Sequence, residues 1–203
     1  MEPAEHPETP AEALRALRAG NERHLAGERG LRSHSPLGGR HEEGQRPFAA
    51  IITCADSRVS PALVFDLDRG NLFVSRIAGN SIDTGTLGST EYAVAELGVK
   101  LVVVLGHSDC GAVKAAIEVA NGTQGYPADE YGSIGAVVDA IVPSVESLTV
   151  DQRTVPNCIE ANARAQAREL AGKAPIIRPA VDSGTLRVVA AVCDVESGRV
   201  ELV

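Results

Sequence analysis

The sequence lacks tryptophan and has few other large side chains: three Phe, three Tyr and one Met among 203 residues. Aliphatic side chains must therefore supply most of the core. No apolar run approaches the roughly 18 residues that a membrane-spanning helix needs, so no membrane association of that kind is expected. The N-terminus, Met-Glu-Pro-Ala-Glu-His-Pro-Glu, is acidic where a secretory signal is basic and then apolar. No secretory signal is therefore expected either.

The sequence also lacks an excess of positive charge. Its formal net charge is −8, and no cluster of Lys and Arg offsets it, which argues against nucleic acid as a partner. Its composition, 44% apolar and 23% charged, is typical of a globular protein, and we expect a single domain over residues 1–203. The expected location is cytoplasmic. In that reducing compartment the four cysteines are metal ligands or free thiols before they are disulfides.

Short apolar runs alternate with amphipathic segments along the chain. This order predicts an α/β protein with a mainly parallel central sheet flanked by helices. The predicted strands are residues 47–53, 72–77, 100–105, 186–193 and 199–203. The predicted helices begin near residue 10 and then cover residues 61–68, 84–97, 111–120, 133–148 with a break at Pro143, and 154–171. Residues 1–10 are expected to form a flexible tail, and residues 29–46 and 121–132 to form loops.

Two of the predicted strands end in turns that carry soft metal ligands. Cys54 follows the strand 47–53, and His107 and Cys110 follow the strand 100–105. Because the carboxyl ends of parallel strands form the ligand crevice of an open α/β sheet, these three side chains can meet there. Two thiolates and one imidazole are a recognised ligand set for catalytic zinc with an open fourth position. Cys110 also begins a predicted helix, whose dipole favours the thiolate.

Asp56 and Arg58 follow Cys54 at intervals of two residues, which places their side chains on one face of extended backbone. A carboxylate beside a metal-bound water can accept its hydrogen bond, and an adjacent Arg would hold that carboxylate ionised. Zinc can lower the pKa of such a water to about 7 and so supply a nucleophile at neutral pH. A closed structural zinc site, with Asp56 as the fourth ligand, is the alternative.

The remaining cysteines and histidines have simpler interpretations. Cys158 and Cys193 are expected to be small buried apolar residues. Asp109 is expected to begin a helix and to have no further role. Solvated positions in the tail, on a helix surface and in a loop are expected for His6, His24, His34 and His41.

The segments Cys54-Ala-Asp-Ser-Arg58 and Gly106-His-Ser-Asp-Cys-Gly111 together resemble the two signatures of the β-class carbonic anhydrases, C-x-D-x-R and H-x-x-C. Phe73-Val-Ser-Arg-Ile-Ala-Gly-Asn80 is similar to a third stretch of that family, and Gly88–Val94 and Gly20-Asn21 extend the similarity. Ile51 stands where a bicarbonate-inhibited branch has Trp. The chain is thus identified as similar to the plant-like branch in its bacterial form.

The resemblance implies zinc-dependent, reversible hydration of carbon dioxide to bicarbonate and a proton, by attack of zinc-bound hydroxide. It implies one Zn²⁺ per subunit on Cys54, His107 and Cys110, with Asp56 as the hydroxide's hydrogen-bond partner and Arg58 as the partner of Asp56. The implied CO₂ pocket residues are Gln45, Phe73, Ala78 and Tyr92.

Part of that pocket comes from a second subunit in the family, so the resemblance also implies a homodimer or homotetramer. Residues 11–28 would form a helix that embraces the partner. Two positions depart from the commoner family residues, Ala55 in place of Ser and Ile77 in place of Asn, and neither is a ligand position.

Three alternatives to CO₂ hydration stay open from the sequence. A zinc hydrolase of carbon disulfide or carbonyl sulfide would use the same ligands. The stretch Gly106-His-Ser-Asp-Cys110 is close to a G-x-S-x-G nucleophile elbow, so a metal-independent hydrolase could use Ser108 or Cys110. A zinc-stapled binding module or nucleotide-binding domain is the non-enzymatic alternative, although no G-x-G-x-x-G follows a predicted strand.

Overall fold

The computed structural model describes residues 6–28 and 44–203. The strands are β1 (Ala49–Thr53), β2 (Leu72–Arg76), β3 (Leu101–His107), β4 (Arg187–Cys193) and β5 (Val200–Leu202). The helices are α1 (Pro10–Ala26), α2 (Pro61–Val64), α3 (Thr84–Ala95), α4 (Gly111–Ala120), α5 (Ala128–Tyr131), α6 (Ile134–Asp139), α7 (Val142–Glu146), α8 (Val155–Ala171) and α9 (Ile177–Asp182). Single 3₁₀ turns occur at Ala78–Asn80 and Val150–Gln152.

Within the described residues the strands form one sheet in the order β2-β1-β3-β4-β5. The pairs β1–β2, β1–β3 and β3–β4 are parallel, and only β5 runs antiparallel. The predicted fold class, a mainly parallel sheet flanked by helices, is confirmed. Because the chain moves from β1 to one side for β2 and to the other side for β3, the topological switch point lies between β1 and β3. Ligands bind at such a point in open α/β sheets.

Helices cover both faces of the sheet, so its central strands are buried throughout. Ala49, Ile51 and Val103 point to the face covered by α1. Ala50, Ile52 and Val104 point to the opposite face, covered by α8 and α9. Complete burial of β1 and β3 explains why both appear in the sequence as continuous apolar runs rather than as alternating patterns.

Helix α1 is fixed to its own chain through Gly20 and Asn21. A Cβ atom on Gly20 would lie 1.9 Å from the carbonyl oxygen of Phe65, so the close approach requires glycine. The buried Asn21 amide donates to the carbonyls of Val64 and Gly198 and accepts from the amide of Val200. This one side chain joins the helix to α2 and to the start of β5.

Several predicted elements differ in extent. The helix predicted over 61–68 ends at Val64, because the chain turns at Asp66, a buried residue with φ of 44° that Arg23 binds at 2.7 Å. The helix predicted over 133–148 is two helices, and Pro143 lies in the first turn of the second, where its missing N–H costs little. The short helices α5 and α9 were not predicted.

No helix in the described part of the chain is long and apolar enough to cross a membrane. Of the predicted tail, residues 6–10 are described, and Pro10 already belongs to α1. There the Thr9 side chain caps α1 and the His6 ring bonds the Arg46 carbonyl. The rest of the tail, and most of the predicted loop 29–46, lie outside the described residues.

Candidate metal centre

Three buried donor side chains meet at the switch point of the sheet. Cys54 directly follows β1, His107 is the last residue of β3, and Cys110 is the N-cap residue of α4. Their ligand atoms all lie within 4.8 Å of one another. The proximity predicted from the sequence is therefore confirmed, and it arises because β1 and β3 are adjacent and parallel.

His107 presents an unpaired nitrogen to the two sulfurs. The side chain is fully buried, and its Nδ1 lies 2.9 Å from the Ser108 carbonyl oxygen, which fixes Nδ1 as the protonated nitrogen. Nε2 then carries the lone pair, and it has no hydrogen-bond partner among the described residues. Burial by itself lowers the pKa of His107, but contact with Cys54 raises it overall. The site therefore favours a cation at Nε2, which a proton or a metal ion can provide.

The two cysteine sulfurs lie 4.0 Å apart and are not bonded. A hydrogen bond from the Cys110 thiol lowers the pKa of Cys54 to about 4, outweighing the effect of burial, and His107 and the Gly79 amide contribute in the same direction. The pKa of Cys110 is raised because it faces the Cys54 thiolate and is buried. Two thiolates bound to one tetrahedral zinc at about 2.3 Å would be about 3.8 Å apart. The spacing of the two sulfurs therefore suits such an ion.

Asp56 and Arg58 form a bidentate pair beside these donors. Arg58 Nε and Nη2 donate to the two carboxylate oxygens at 3.0 and 2.8 Å, and the Arg58 amide donates to Oδ1 at 2.9 Å. The side-chain hydrogen bonds from Arg58 hold the pKa of Asp56 well below its usual range. Asp56 Oδ2 lies 3.9 Å from His107 Nε2. An ionised carboxylate is thus placed at the edge of the donor cluster, where it can accept a hydrogen bond.

Arg76, at the end of β2, was not singled out from the sequence. Its Nε donates to the Cys54 carbonyl at 3.2 Å and its Nη2 to the Asp56 carbonyl at 2.5 Å. A pattern could have indicated it, because an arginine that ends a strand next to β1 lies at the same edge of the sheet as Cys54.

Gly79 and helix α8 support Cys54 from the other side. The Gly79 amide donates to Cys54 Sγ at 3.3 Å, and the buried Asn162 amide holds the Gly79 carbonyl at 2.8 Å. Gln166, one turn further along α8, accepts from the Ile82 amide at 2.8 Å. The sequence does not predict that either α8 residue supports the site. A polar residue on an amphipathic helix is expected on the surface, whereas Asn162 and Gln166 are buried.

The prediction that Asp109 merely begins a helix is wrong. Cys110 is the N-cap residue, and Asp109 has left-handed backbone, with φ of 61°. Its carboxylate pairs with Lys114 and lies 3.4 Å from Arg58 Nη1. Asp109 therefore connects the turn after β3 to the turn after β1.

The nucleophile-elbow alternative finds no support in the geometry of Ser108. Its hydroxyl donates to Asp194 at 3.3 Å and accepts from the Val195 amide at 2.9 Å. The adjacent imidazole contacts Ser108 only through the main-chain carbonyl. The hydroxyl therefore anchors the turn to the loop after β4, and the adjacent imidazole does not contact it.

The four predicted pocket residues are not brought together within one chain. Ala78 begins the 3₁₀ turn next to Cys54, and Phe73 and Tyr92 form an aromatic pair with centroids 6.4 Å apart. Tyr92 is 51% exposed. Gln45 is exposed and precedes β1, whereas Cys54 follows it. A five-residue strand is roughly 16 Å long, so Gln45 lies at the opposite end of the sheet from the donors of its own chain.

The other sequence interpretations have mixed outcomes. Cys158 and Cys193 are buried among apolar side chains, as expected, and burial raises the pKa of Cys193 to about 11. A solvated role for His6 is wrong, since its ring bonds the Arg46 carbonyl and packs edge-on against Phe48. His24 packs close to Gly198 rather than into solvent alone. His34 and His41 lie outside the described residues.

Comparison with known proteins identifies relatives over most of the chain. The family model described as carbonic anhydrase matches residues 49–200. Carbonic anhydrase 2 of Mycobacterium tuberculosis is 46% identical over 143 residues, which span 67% of this chain and 64% of that protein. A carbonic anhydrase of Mycolicibacterium smegmatis is 36% identical over 204 residues, covering 95% of this chain and 93% of that protein.

Solved structures agree with these sequence relationships. A Coccomyxa β-carbonic anhydrase in complex with acetazolamide superposes with a TM-score of 0.70 at 27% identity, covering 94% of this chain and 84% of that chain. One of two tetrameric β-carbonic anhydrases from Sordaria macrospora gives a TM-score of 0.70 at 25% identity, covering 95% and 94% of the two chains. With the family model covering most of the sheet and both donor turns, the chain belongs to the carbonic anhydrase family, and within it to the β class.

Proposed function

We propose that this protein catalyses the zinc-dependent, reversible hydration of carbon dioxide to bicarbonate and a proton. The observation that carries the proposal is the buried cluster of Cys54, His107 and Cys110, in which His107 Nε2 has no hydrogen-bond partner among the described residues. Two sulfurs and one imidazole nitrogen suit a catalytic zinc with an open fourth position. When bound, zinc would lower the pKa of a water ligand to about 7 and so supply the nucleophile for CO₂.

Asp56 and Arg58 are proposed to orient that nucleophile. Asp56 is ionised at neutral pH, because Arg58 holds the pKa of its carboxyl well below the usual range. An ionised carboxylate can only accept hydrogen bonds, so Asp56 directs a proton of the attacking water towards itself and a lone pair towards the substrate. Arg58 keeps the carboxylate in this position through two parallel N–H···O bonds.

The substrate pocket is proposed to include Gln45, Phe73, Ala78 and Tyr92, with a second copy of the chain supplying part of it. Ala78 lies beside the donors of its own chain, whereas Gln45 lies at the far end of β1. The exposed side chains of Val74 and Tyr92 at the β2 edge offer an apolar surface for the second copy. The tetrameric Sordaria relatives support self-association, as a homodimer or homotetramer in which residues 11–28 also contact the partner.

We also propose a cytoplasmic location. All four cysteines are unpaired thiols in the structure, and two of them are close enough to share a ligand without being bonded. Persistent free thiols are typical of a reducing compartment.

Metal analysis coupled to stopped-flow CO₂ hydration tests the proposal. The zinc-loaded protein should contain one zinc per chain and hydrate CO₂, and Cys54→Ser should lose both zinc and activity, since one of three protein ligands is removed. Cys158→Ala removes a buried thiol from the same apolar cluster and should keep both. Full activity of Cys54→Ser would contradict the ligand assignment. Hydrolysis of carbon disulfide without CO₂ hydration would replace the proposed substrate.

A further inference from the structure

We propose that Arg76 is a positioning residue for the reaction, which holds Asp56 in its working orientation by binding the main chain on either side of the turn. This inference rests on the proposed function. Arg76 ends β2 opposite Thr53, the last residue of β1. From there its guanidinium group reaches the carbonyl oxygens of Cys54 and Asp56, two residues apart, with its Nε and Nη2 donors.

Two guanidinium groups thus bind Asp56 from two directions. Arg58 binds the carboxylate with its Nε and Nη2, and Arg76 binds the carbonyl of the same residue. The carboxylate can rotate about its side-chain bonds, and Arg58 removes that freedom. The turn itself can rotate about its backbone dihedrals, and hydrogen bonds to its carbonyls restrict that rotation: the Val59 amide binds the Asp56 carbonyl, and Arg76 binds both the Cys54 and the Asp56 carbonyls. The two arginines therefore have separate tasks.

The contacts of Arg76 differ from those of an arginine in a surface ion pair. The side chain is exposed, yet within the described ranges it pairs with no carboxylate, and both of its hydrogen bonds go to main-chain carbonyls. The Cys54 carbonyl belongs to a donor of the cluster, so the guanidinium group also fixes the backbone that carries Cys54 Sγ. Since a displacement of about 1 Å can lower a reaction rate by about a hundredfold, fixing this turn matters for the reaction.

Three variants of the zinc-loaded, full-length protein separate this role from a general effect on stability. Arg76→Met removes all donors and keeps much of the apolar stem. Arg76→Lys keeps the charge but cannot form the planar fork, so it should restore only part of the loss. Arg187→Met is the matched control, because Arg187 is an exposed arginine at the amino end of β4, away from the donors.

Amide hydrogen exchange is the readout that does not depend on activity. In the wild type the amides of Arg58 and Val59 donate to Asp56 Oδ1 and to the Asp56 carbonyl. In Arg76→Met these amides should exchange about tenfold faster or more, while the amides of β3 keep the wild-type rate. Unchanged exchange at 55–59, or an equal increase across the sheet, would overturn the proposal.

A double-mutant cycle tests whether Arg76 acts through Asp56. Arg76→Met should lower kcat for CO₂ hydration about 10- to 100-fold with zinc content and molecular mass in solution unchanged. In an Asp56→Asn background the same substitution should have almost no further effect. Equal losses in both backgrounds, or a loss that follows subunit dissociation, would overturn it. If the wild type shows no CO₂ hydration, the proposed function fails, and the exchange experiment still decides the role of Arg76.

Discussion

At the scale of single residues, Gly79 is the most constrained position near the donors. Its φ of 71° is left-handed, and a Cβ atom there would lie 2.3 Å from Ile141 Cδ1 and 3.2 Å from Ala112 Cβ. Its amide donates to Cys54 Sγ while Asn162 holds its carbonyl. A side chain would therefore strain the backbone, crowd the apolar cluster next to the donors and displace one hydrogen bond to the thiolate.

We expect Gly79→Ala to destabilise the fold by about 2–4 kcal/mol, from overpacking and from the left-handed backbone together. The loss of the N–H···S bond should also weaken zinc binding. Urea unfolding and competition with a chelator measure the two effects.

Gly85→Ala is the control for this substitution. Gly85 lies in the first turn of α3, where the nearest atom to a new Cβ is 3.7 Å away and φ is not left-handed. Alanine there should be neutral or stabilising by up to about 1 kcal/mol. Equal stability of the two variants would contradict the steric account of Gly79.

At the scale of elements, α3 depends on its N-terminal cap. Asp83 precedes the helix in extended backbone and accepts the Thr86 amide at 2.7 Å. This hydrogen bond from the Thr86 backbone lowers the pKa of Asp83. The helix carries Tyr92, so its position also determines where the Phe73–Tyr92 pair lies.

We expect Asp83→Ala to cost about 1 kcal/mol at pH 7, since the cap and its charge at the helix N-terminus are lost. Because folding lowers the pKa of Asp83, its carboxylate contributes fully to the free energy of unfolding at any pH above the ordinary aspartate pKa of about 3.9. This contribution to stability is lost as the pH falls through the lower pKa that Asp83 has in the folded protein. The difference between the urea midpoints of wild type and variant should therefore shrink at acid pH, at matched zinc concentration. A difference that stays constant with pH would show that the charge has no part in it.

The sequence predicted correctly that Cys54, His107 and Cys110 meet, because local pattern and topology agreed. Cys54 and Cys110 follow fully buried strands and His107 ends one, and parallel strands place such residues at one edge of the sheet. Arg76, Asn162 and Asp109 were missed or misjudged because each acts through a contact distant in sequence. Helix α2 ends before its predicted last residue for the same reason. Asp66 is buried against Arg23 of α1, and the chain turns there.

At the scale of the whole molecule, the β2 side of the sheet lacks a partner in the described chain. Strand β2 is the edge strand, Val74 on it is 40% exposed, and Tyr92 on the neighbouring α3 is 51% exposed. Exposed apolar side chains beside an open strand edge favour association. A second copy here would bring its own Phe73 and Tyr92 to the interface.

We expect Val74→Lys to shift the protein towards a species of 21.1 kDa, the mass of one chain, in sedimentation velocity, since a lysine on an edge strand opposes association. CO₂ hydration should fall about tenfold or more as pocket residues lose their positions. Val150→Lys is the control, because Val150 is 75% exposed but lies in the 3₁₀ turn between α7 and α8, not on β2. A Val74→Lys protein of unchanged mass would place the interface elsewhere.

The pairing of His107 with Cys193 across β3 and β4 has a consequence for the order of events during synthesis. A domain folds as a unit, and Cys54, His107 and Cys110 are all synthesised before residues 111–193. Strand β4, which pairs with β3 beside the fully buried His107, is therefore synthesised after all three of these side chains. Until β4 is in place, two thiols and an imidazole are open to solvent, to oxidants and to competing metal ions, and zinc supplied during translation should raise the yield of active enzyme more than zinc added afterwards.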